Sequence, residues 1–229
     1  GGDMWESRPT DSGDSLEFRD VHAIDADTAW IMSAGSGAKS RIYRTTNGGA
    51  SWTLQFMNPD TAAFYDCISF GSGRGRTGVA FSDASGGRTN ILHTDNDGAS
   101  WRLLAPSVVP APLPGEGAFA ASGLCVVHGD ARAVFIATGS PGARLLRSRD
   151  GGSTWDVENT PFTRGTVAGL TGLAFKDGQF GMAVAADINR LRTDSSTSVV
   201  GITTDAGRTW EMRTRPPLPG ALVGVAWVP

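Results

Sequence analysis

One eight-residue stretch occurs four times along the chain and constrains its fold more than any other feature. The copies are TTNGGASW (45–52), TDNDGASW (94–101), SRDGGSTW (148–155) and TTDAGRTW (203–210). Each copy has Thr or Ser first, Asn or Asp third, Gly fifth, Ser or Thr seventh and Trp last, and the copies are nearly evenly spaced. Internal repetition at this period is typical of propellers and solenoids.

The residue type at each position that recurs in all four copies has a physical reason. The third residue can hydrogen-bond its own backbone two residues on and close a tight turn; it is Asn47, Asn96, Asp150 or Asp205. The fifth supplies a positive φ without steric cost; it is Gly49, Gly98, Gly152 or Gly207. We expect the final tryptophan to be buried between sheets with its indole N–H on a partner; it is Trp52, Trp101, Trp155 or Trp210. These residues are therefore predicted to be structural, forming a clasp between two antiparallel strands.

Between the copies, short stretches of apolar alternation recur in one order. The first unit reads FRDVHAID (18–25), TAWIMSAG (28–35), SRIYRTT (40–46) and WTLQF (52–56). Four strands per unit are what a propeller blade requires. The sequence therefore predicts an all-β fold, a single β-propeller domain of four-stranded antiparallel blades, with blades at 15–60, 61–108, 109–162 and 163–217.

The two ends carry parts of further repeats. Gly2 and Trp5 match the end of the turn motif, so residues 1–14 are predicted to hold the outer strand of a preceding blade. Residues 218–229, which include GALVGVAWVP, are predicted to begin a next blade. We expect a partial segment, of about four to five blades, of a six- or seven-bladed propeller. Because unpaired strand edges and apolar faces invite pairing, self-association is expected.

The repeated motif resembles the Asp-box, or BNR repeat, of sialidases, sortilin-type receptors and photosystem II stability/assembly factor-like proteins. The resemblance covers essentially the whole chain and implies a peripheral position for the motif, away from the central pocket. The chain is most similar to the assembly factor-like group, which is widespread in bacteria. This resemblance implies a non-catalytic scaffold that contacts another protein or a glycan, and export to the periplasm or cell exterior.

A sialidase-like glycoside hydrolase is the alternative. That family uses a tyrosine nucleophile, and the chain offers only Tyr43 and Tyr65. Tyr65, beside Asp66 at the start of an inner strand, is the better placed. The Arg-Ile-Pro type motif of the family is absent from the sequence.

The innermost strands hold the candidate ligand-binding residues. Arg19 and Asp20 open one inner strand, and Tyr65 and Asp66 open the next. The segments FRD (18–20) and FYD (64–66) suggest that Asp20 and Asp66 are equivalent and face a common channel. The other interpretation is that each carboxylate accepts hydrogen bonds at the start of its strand.

Two insertions add further candidates. The proline-rich stretch 106–123 delivers Glu116 between two glycines, either as a functional residue or within a plain connection between blades. Residues 188–197 carry Arg190, Arg192 and Asp194, and are predicted to form a solvated hairpin.

Composition and residue spacing limit the partners and cofactors that the chain is expected to bind. The net charge is −3 and Lys and Arg form no runs, which argues against nucleic acid or an anionic membrane as the main partner. No apolar stretch is long enough for membrane insertion. Cys125 and His128 would lie on opposite faces of a strand, so we expect no metal and no cofactor. Cys67 and Cys125 are left as either a disulfide or two buried free thiols.

Overall fold

Four antiparallel sheets of four strands each make up most of the regular structure. They are seen in the computed structural model, which describes residues 4–10, 16–72, 76–130, 132–196 and 199–227. In each sheet the strands are hydrogen-bonded in sequence order. This confirms the predicted all-β fold of four-stranded antiparallel blades, and each sheet is called a blade below.

The strands of the first two blades are short and joined by tight turns. Blade one contains β1 (Glu17–Ala23), β2 (Ala29–Ala34), β3 (Arg41–Thr45) and β4 (Thr53–Met57). Blade two contains β5 (Tyr65–Phe70), β6 (Gly78–Ser85), β7 (Arg88–Thr94) and β8 (Arg102–Leu103).

The other two blades repeat this arrangement. Blade three contains β9 (Val126–His128), β10 (Val134–Ala137), β11 (Arg144–Ser148) and β12 (Asp156–Asn159). Blade four contains β13 (Ala168–Phe175), β14 (Gly181–Asp187), β15 (Val200–Thr203) and β16 (Glu211–Met212). Three 3-10 helices lie in the connections, at Gly37–Lys39, Pro106–Val108 and Ile188–Arg190. No helix in the described ranges has the length and apolar character needed to cross a membrane.

The first strand of every blade faces a common channel. Residues of β1, β5, β9 and β13 line a cavity of about 430 Å³, together with Val225 and Ala226 near the end of the chain. These inner strands also contact one another in sequence order, β1 against β5, β5 against β9 and β9 against β13. The fold therefore places the first residues of the inner strands, where the candidate residues lie, around one axis.

The apolar core lies between the blades. Trp30 of blade one stacks on Phe70 of blade two with ring centroids 3.8 Å apart. Phe135 of blade three stacks on Phe175 of blade four at 3.6 Å. Between blades two and three, a buried cluster joins Val79 and Phe81 to Val134. Each blade is amphipathic towards its neighbours, as the alternation in the sequence predicts.

The four turn motifs share one hydrogen-bond pattern. In the first, the Thr45 hydroxyl donates to Asn47 Oδ1 at 2.9 Å and accepts the Gly49 N–H at 2.9 Å, while Asn47 Oδ1 accepts the Ser51 N–H at 3.0 Å. The same three bonds recur in the other copies. The sequence argument gave the third residue a bond two residues on. The structure places that bond four residues on, which closes a wider loop.

The motif requires glycine at this position for a second reason, which the sequence did not reveal. Gly152 has φ +92°, and a Cβ built on it would lie 2.5 Å from a methyl group of Val79 in the preceding blade. At Gly207 the same Cβ would lie 2.1 Å from the Leu145 side chain, also in the preceding blade. The turn therefore presses its backbone against the neighbouring blade.

The motif tryptophans differ in burial more than the sequence predicts. Trp155 is 9% exposed and its indole N–H donates to the Gly152 carbonyl at 2.9 Å. Trp52, Trp101 and Trp210 are only half-buried, and their indole N–H groups donate no hydrogen bond to any described group. Among the described residues, the expectation of a partnered N–H is therefore met at Trp155 and is wrong at the other three.

Neither end forms its predicted strand in the described ranges. Residues 4–10 and 218–227 have no strand pairing, and Trp5 is 91% exposed; Gly2 and residues 11–14 lie outside the described residues. Residues 221–227 nevertheless pack on the fold, since Leu222 and Val225 contact a buried cluster of blade four. The assignment of both segments to further blades stays a prediction.

Candidate functional site

Three of the inner strands carry a β-bulge at the same place. The register of β1 with β2 shifts between Phe18 and Asp20, and that of β5 with β6 shifts between Tyr65 and Cys67. In β13 the shift lies between Leu170 and Gly172. A bulge inserts one unpaired residue and turns its side chain away from the regular alternation. The inserted residues are Arg19, Asp66 and Thr171.

The bulges correct the predicted equivalence of Asp20 and Asp66. In the pairing with the second strand, Asp20 corresponds to Cys67, and Asp66 corresponds to Arg19. The segments FRD and FYD therefore align one residue out of step. The reason is that Phe18 occupies the strand position of Tyr65 and not that of Phe64.

The three inserted residues meet at a single cavity of about 350 Å³, called the bulge cavity here. Its other lining residues come from the ends of strands and from connections; they are Phe64, Asp83, Ala118, Phe119, Ala120, Ala121, Ile188, Leu191 and Val223. The polar groups lie on strands, with Asp83 on β6 and the others on inner strands, whereas the wall from the connections is apolar. Such a concave, mostly apolar pocket with a few convergent polar groups is the usual form of a ligand site.

Two carboxyl groups face each other in this cavity. Asp66 is 2% exposed, and its carboxyl group interacts with that of Asp83. Burial raises the pKa of Asp66 well above its usual range, and the negative charge of Asp83 raises that pKa further. Burial also raises the pKa of Asp83. Two carboxyl groups in contact can be accommodated by sharing one proton.

The surroundings of this pair are ordered by backbone contacts. Asp83 Oδ1 accepts the Ala118 N–H at 3.2 Å, and the Asp83 N–H donates to the Phe64 carbonyl at 3.0 Å. Arg19 lies near Asp66, but its guanidinium pairs with Glu17 at 2.8 Å.

Asp20 lines the channel and not the bulge cavity. Its Oδ2 accepts the Ile68 N–H at 2.6 Å. Burial raises its pKa to about 7, although the hydrogen bonds from Ile68 and Val21 act in the opposite direction. Of the two interpretations of the sequence, the one in which the carboxylate accepts backbone hydrogen bonds from a strand therefore applies to Asp20.

The structure does not bring Tyr65 to either cavity. Tyr65 is 3% exposed within the core between blades one and two, and burial raises the pKa of its hydroxyl. Tyr43 is also buried, at 6% exposed. The bulge at Asp66 directs its side chain into the bulge cavity, whereas the neighbouring Tyr65 side chain lies in the core.

Glu116 is occupied by an internal partner. Its carboxylate forms a two-pronged ion pair with Arg144 of β11, of which the Nε contact is 2.7 Å, and it also accepts the Leu113 N–H at 2.9 Å. It is 3% exposed and does not line the bulge cavity. The proline-rich insertion contributes to that cavity through residues 118–121 instead.

The second insertion contributes apolar side chains. Asp194 is 1% exposed and accepts hydrogen bonds from the backbone of Asp187 and Ser196, so the segment is not simply a solvated hairpin. Ile188 and Leu191 line the bulge cavity, whereas Arg190 and Arg192 are exposed and do not.

The sequence analysis did not select Asp83, Thr171 or Phe119. Asp83 lies where the register of β6 with β7 shifts, and Thr171 stands in a strand of small and apolar residues. The recurrence of the bulge in the blade repeat could have indicated Thr171, whereas no local pattern indicates Asp83 or Phe119.

Cys67 and Cys125 form a disulfide between β5 and the start of β9, with Cα atoms 5.8 Å apart. This decides between the two alternatives left by the sequence. Among the residues that the structure describes, no group of three or more His, Cys, Asp or Glu side chains could hold a metal ion.

Solved structures similar to this chain are propeller proteins. YCF48 bound to D1 peptide has a TM-score of 0.52 and 17% identity over 88% of this chain and 55% of that chain. YCF48 from Cyanidioschyzon merolae has a TM-score of 0.51 and 18% identity, covering 87% and 55%. The GH74 xyloglucanase from Xanthomonas campestris has a TM-score of 0.60 and 16% identity, covering 94% and 32%.

These likenesses show that the fold is a β-propeller and do not show the function, because the identities are low. The chain spans about half the length of the YCF48 structures and about a third of the xyloglucanase. No protein-family model matches the sequence, and no curated protein matches it significantly.

Proposed function

We propose that this chain is a non-catalytic β-propeller scaffold that binds a peptide segment of another protein in the bulge cavity. The observation that carries the proposal is the combination of buried carboxyl groups inside the cavity with an exposed apolar rim. Leu191 is 58% exposed and Val223 is 38% exposed at that rim. Apolar side chains beside convergent polar groups are characteristic of sites that bury a ligand.

The structural comparison supports this class of function. One similar structure, YCF48, is bound to a D1 peptide. The turn motif of this chain is similar to that of the photosystem II assembly factor-like group. A peptide segment is therefore preferred to a glycan as the ligand.

The geometry argues against a glycoside hydrolase. A tyrosine nucleophile must reach its substrate, whereas Tyr43 and Tyr65 are both buried. Hydrolases that use two carboxyl groups hold them about 5 Å or more apart, on either side of the scissile bond. Asp66 and Asp83 instead interact with each other.

Export is the localisation that we propose. Disulfides persist in oxidising compartments such as the periplasm and the cell exterior, and Cys67 and Cys125 are joined within the fold.

Selection from a phage library of random twelve-residue peptides tests the binding function. We expect enriched peptides that bind the 229-residue chain and lose binding to Leu191→Glu, because the new charge occupies the apolar rim. The matched control is Leu103→Glu, since Leu103 is 43% exposed on β8 and does not line the bulge cavity. Failure to enrich peptides, or equal loss in both variants, would contradict the proposal.

A second assay separates binding from catalysis. We expect no turnover of sialosides or xyloglucan oligomers by the chain. Turnover that disappears in Tyr65→Phe or Asp66→Asn would show that the chain is an enzyme and would overturn the scaffold proposal.

A further inference from the structure

The bulge cavity contains a buried acceptor that none of the described groups satisfies. Asp66 Oδ2 is shielded from solvent and accepts no hydrogen bond from any group in the described part of the chain. A buried polar atom without a partner costs free energy, so it is retained where it has a use. Asp66 owes its position to the bulge of β5, which directs it into the cavity.

The charged groups around this oxygen leave the cavity rich in acceptors. From β6 the neighbouring group is the Asp83 carboxyl, whose one backbone donor is the Ala118 N–H. From β1 the neighbouring group is Arg19, whose guanidinium contacts Glu17 at 2.8 Å. Asp20, the residue after Arg19, points to Ile68. The two carboxyl groups therefore face the cavity with more lone pairs than donors.

Aromatic side chains complete the wall. Phe64 precedes β5 and Phe119 lies in the proline-rich insertion, and both line the cavity beside the carboxyl pair. A carboxylate flanked by aromatic rings suits a cation, because ring faces attract positive charge and exclude water from the ion pair.

We propose that the Asp66–Asp83 pair receives one cationic group, the guanidinium of an arginine or the ammonium of a lysine, from the peptide that the bulge cavity binds. This inference rests on the proposed function and specifies which side chain of the peptide the site recognises. Because the cation interacts favourably with ionised carboxylates, its binding promotes the loss of a proton from the pair. That proton passes to the solvent, so the pair gains one negative charge as the ligand supplies one positive charge.

The test uses four tripeptides with blocked ends: acetyl-Ala-Arg-Ala-amide and its Lys, Gln and Glu counterparts. Their affinities for the full chain are measured by NMR titration at pH 8 and pH 5. We expect the Arg or Lys peptide to bind at least about tenfold more tightly than the Gln peptide at pH 8, as charge-assisted hydrogen bonds allow. The preference should shrink at pH 5, because both carboxyl groups have raised pKa values and bind protons more readily as the pH falls.

Variants assign the effect to the pair. Asp83→Asn should abolish the preference for a cation while keeping the fold, because the amide oxygen can still accept the Ala118 N–H. The matched control, Asp95→Asn, alters an exposed aspartate of the same blade and should leave the preference unchanged. Asp20 titrates in the same pH range, so the pH effect is assigned to the pair only if Asp83→Asn removes it.

Three results would overturn the inference. The first is tighter binding of the Glu peptide that Arg19→Gln abolishes, which would make this an anion site. The second is equal affinity for all four peptides, and the third is no binding by any of them. The phage selection with Leu191→Glu reports on the proposed function separately, so peptide binding could survive while the cation inference fails.

Discussion

The carboxylate of Asp20 accepts a hydrogen bond of 2.6 Å from the backbone N–H of Ile68, which joins the inner strand of blade one to that of blade two. At the next interface the corresponding residue is Cys67, which joins blade two to Cys125 through the disulfide. The same strand position therefore bridges neighbouring blades twice, by a buried carboxylate and by a covalent bond.

Asp20→Asn should change how stability depends on pH. Burial raises the folded-state pKa of Asp20 to about 7, from its usual value of 3.8. Between these values the folded chain binds a proton that the unfolded chain does not, so the contribution of Asp20 to stability rises as pH falls from 8 to 5. Asparagine is neutral throughout and can still accept the Ile68 N–H. We expect the variant to be more stable than the parent at pH 8, and this advantage to shrink by about 2–3 kcal/mol at pH 5, with equality only near the usual pKa of an aspartate.

Urea denaturation at the two pH values checks this prediction. The comparison must be between variant and parent, because burial lowers the pKa values of His22, His93 and His128. Those histidines contribute a loss of stability as pH falls below 6.5, which is common to both proteins. A variant that is less stable than the parent at pH 8 would show that the ionised carboxylate is the favourable form.

The disulfide gives a second prediction. It closes a sequence separation of 58 residues, so replacing Cys67 and Cys125 together by alanine should lower the free energy of unfolding by about 2–4 kcal/mol. Guanidinium denaturation measures the loss. Thiol labelling of the unfolded, unreduced parent provides the control, and labelling of both cysteines there would contradict the bond.

The close approach of the turn to the preceding blade is testable at Gly152. Gly152→Ala meets both an unfavourable φ and the Val79 methyl group, whereas Gly86→Ala at φ +57° meets no atom within 4 Å. We expect Gly86→Ala to cost about 1 kcal/mol from the backbone alone. Gly152→Ala should cost about 1–3 kcal/mol more from the clash. Equal losses in thermal and urea melts would mean that the contact between blades is unimportant.

The sequence predicted the blades because their signal is repeated and local. Asn47 and Gly49 act within a few residues of each other, and apolar alternation defines each strand without knowledge of its neighbours. Four copies of one pattern reinforce each other, which makes the blade the best determined level of the structure.

The candidate site was predicted less well because it depends on register. Asp20 and Asp66 occupy similar positions in the sequence, yet a one-residue bulge puts one in the channel and the other in the bulge cavity. Asp83 enters the site from a second strand, through pairing that no local pattern specifies. The partner of Glu116, Arg144, lies 28 residues away along the chain, so its burial in an ion pair could not be read from the insertion alone.

Removal of Glu116 should be costly for that reason. Its carboxylate and the Arg144 guanidinium are both buried, with side chains 3% and 10% exposed. Glu116→Ala leaves an unpaired buried cation and should lower the free energy of unfolding by about 3–5 kcal/mol. The matched control is Glu211→Ala, whose exposed partner Arg213 lies at 2.7 Å and whose loss should cost less than about 1 kcal/mol.

The pair also anchors the insertion that supplies residues 118–121 to the bulge cavity. Glu116→Ala should therefore weaken peptide binding as well as stability, whereas Glu116→Leu combined with Arg144→Met removes both charges and should recover most of the stability. Urea melts of the three variants measure the first effect, and titration with a selected peptide measures the second. If Glu116→Ala were as stable as Glu211→Ala and still lost peptide binding, Glu116 would be a ligand-binding residue, as one interpretation of the sequence held, and the ion pair would have no structural role.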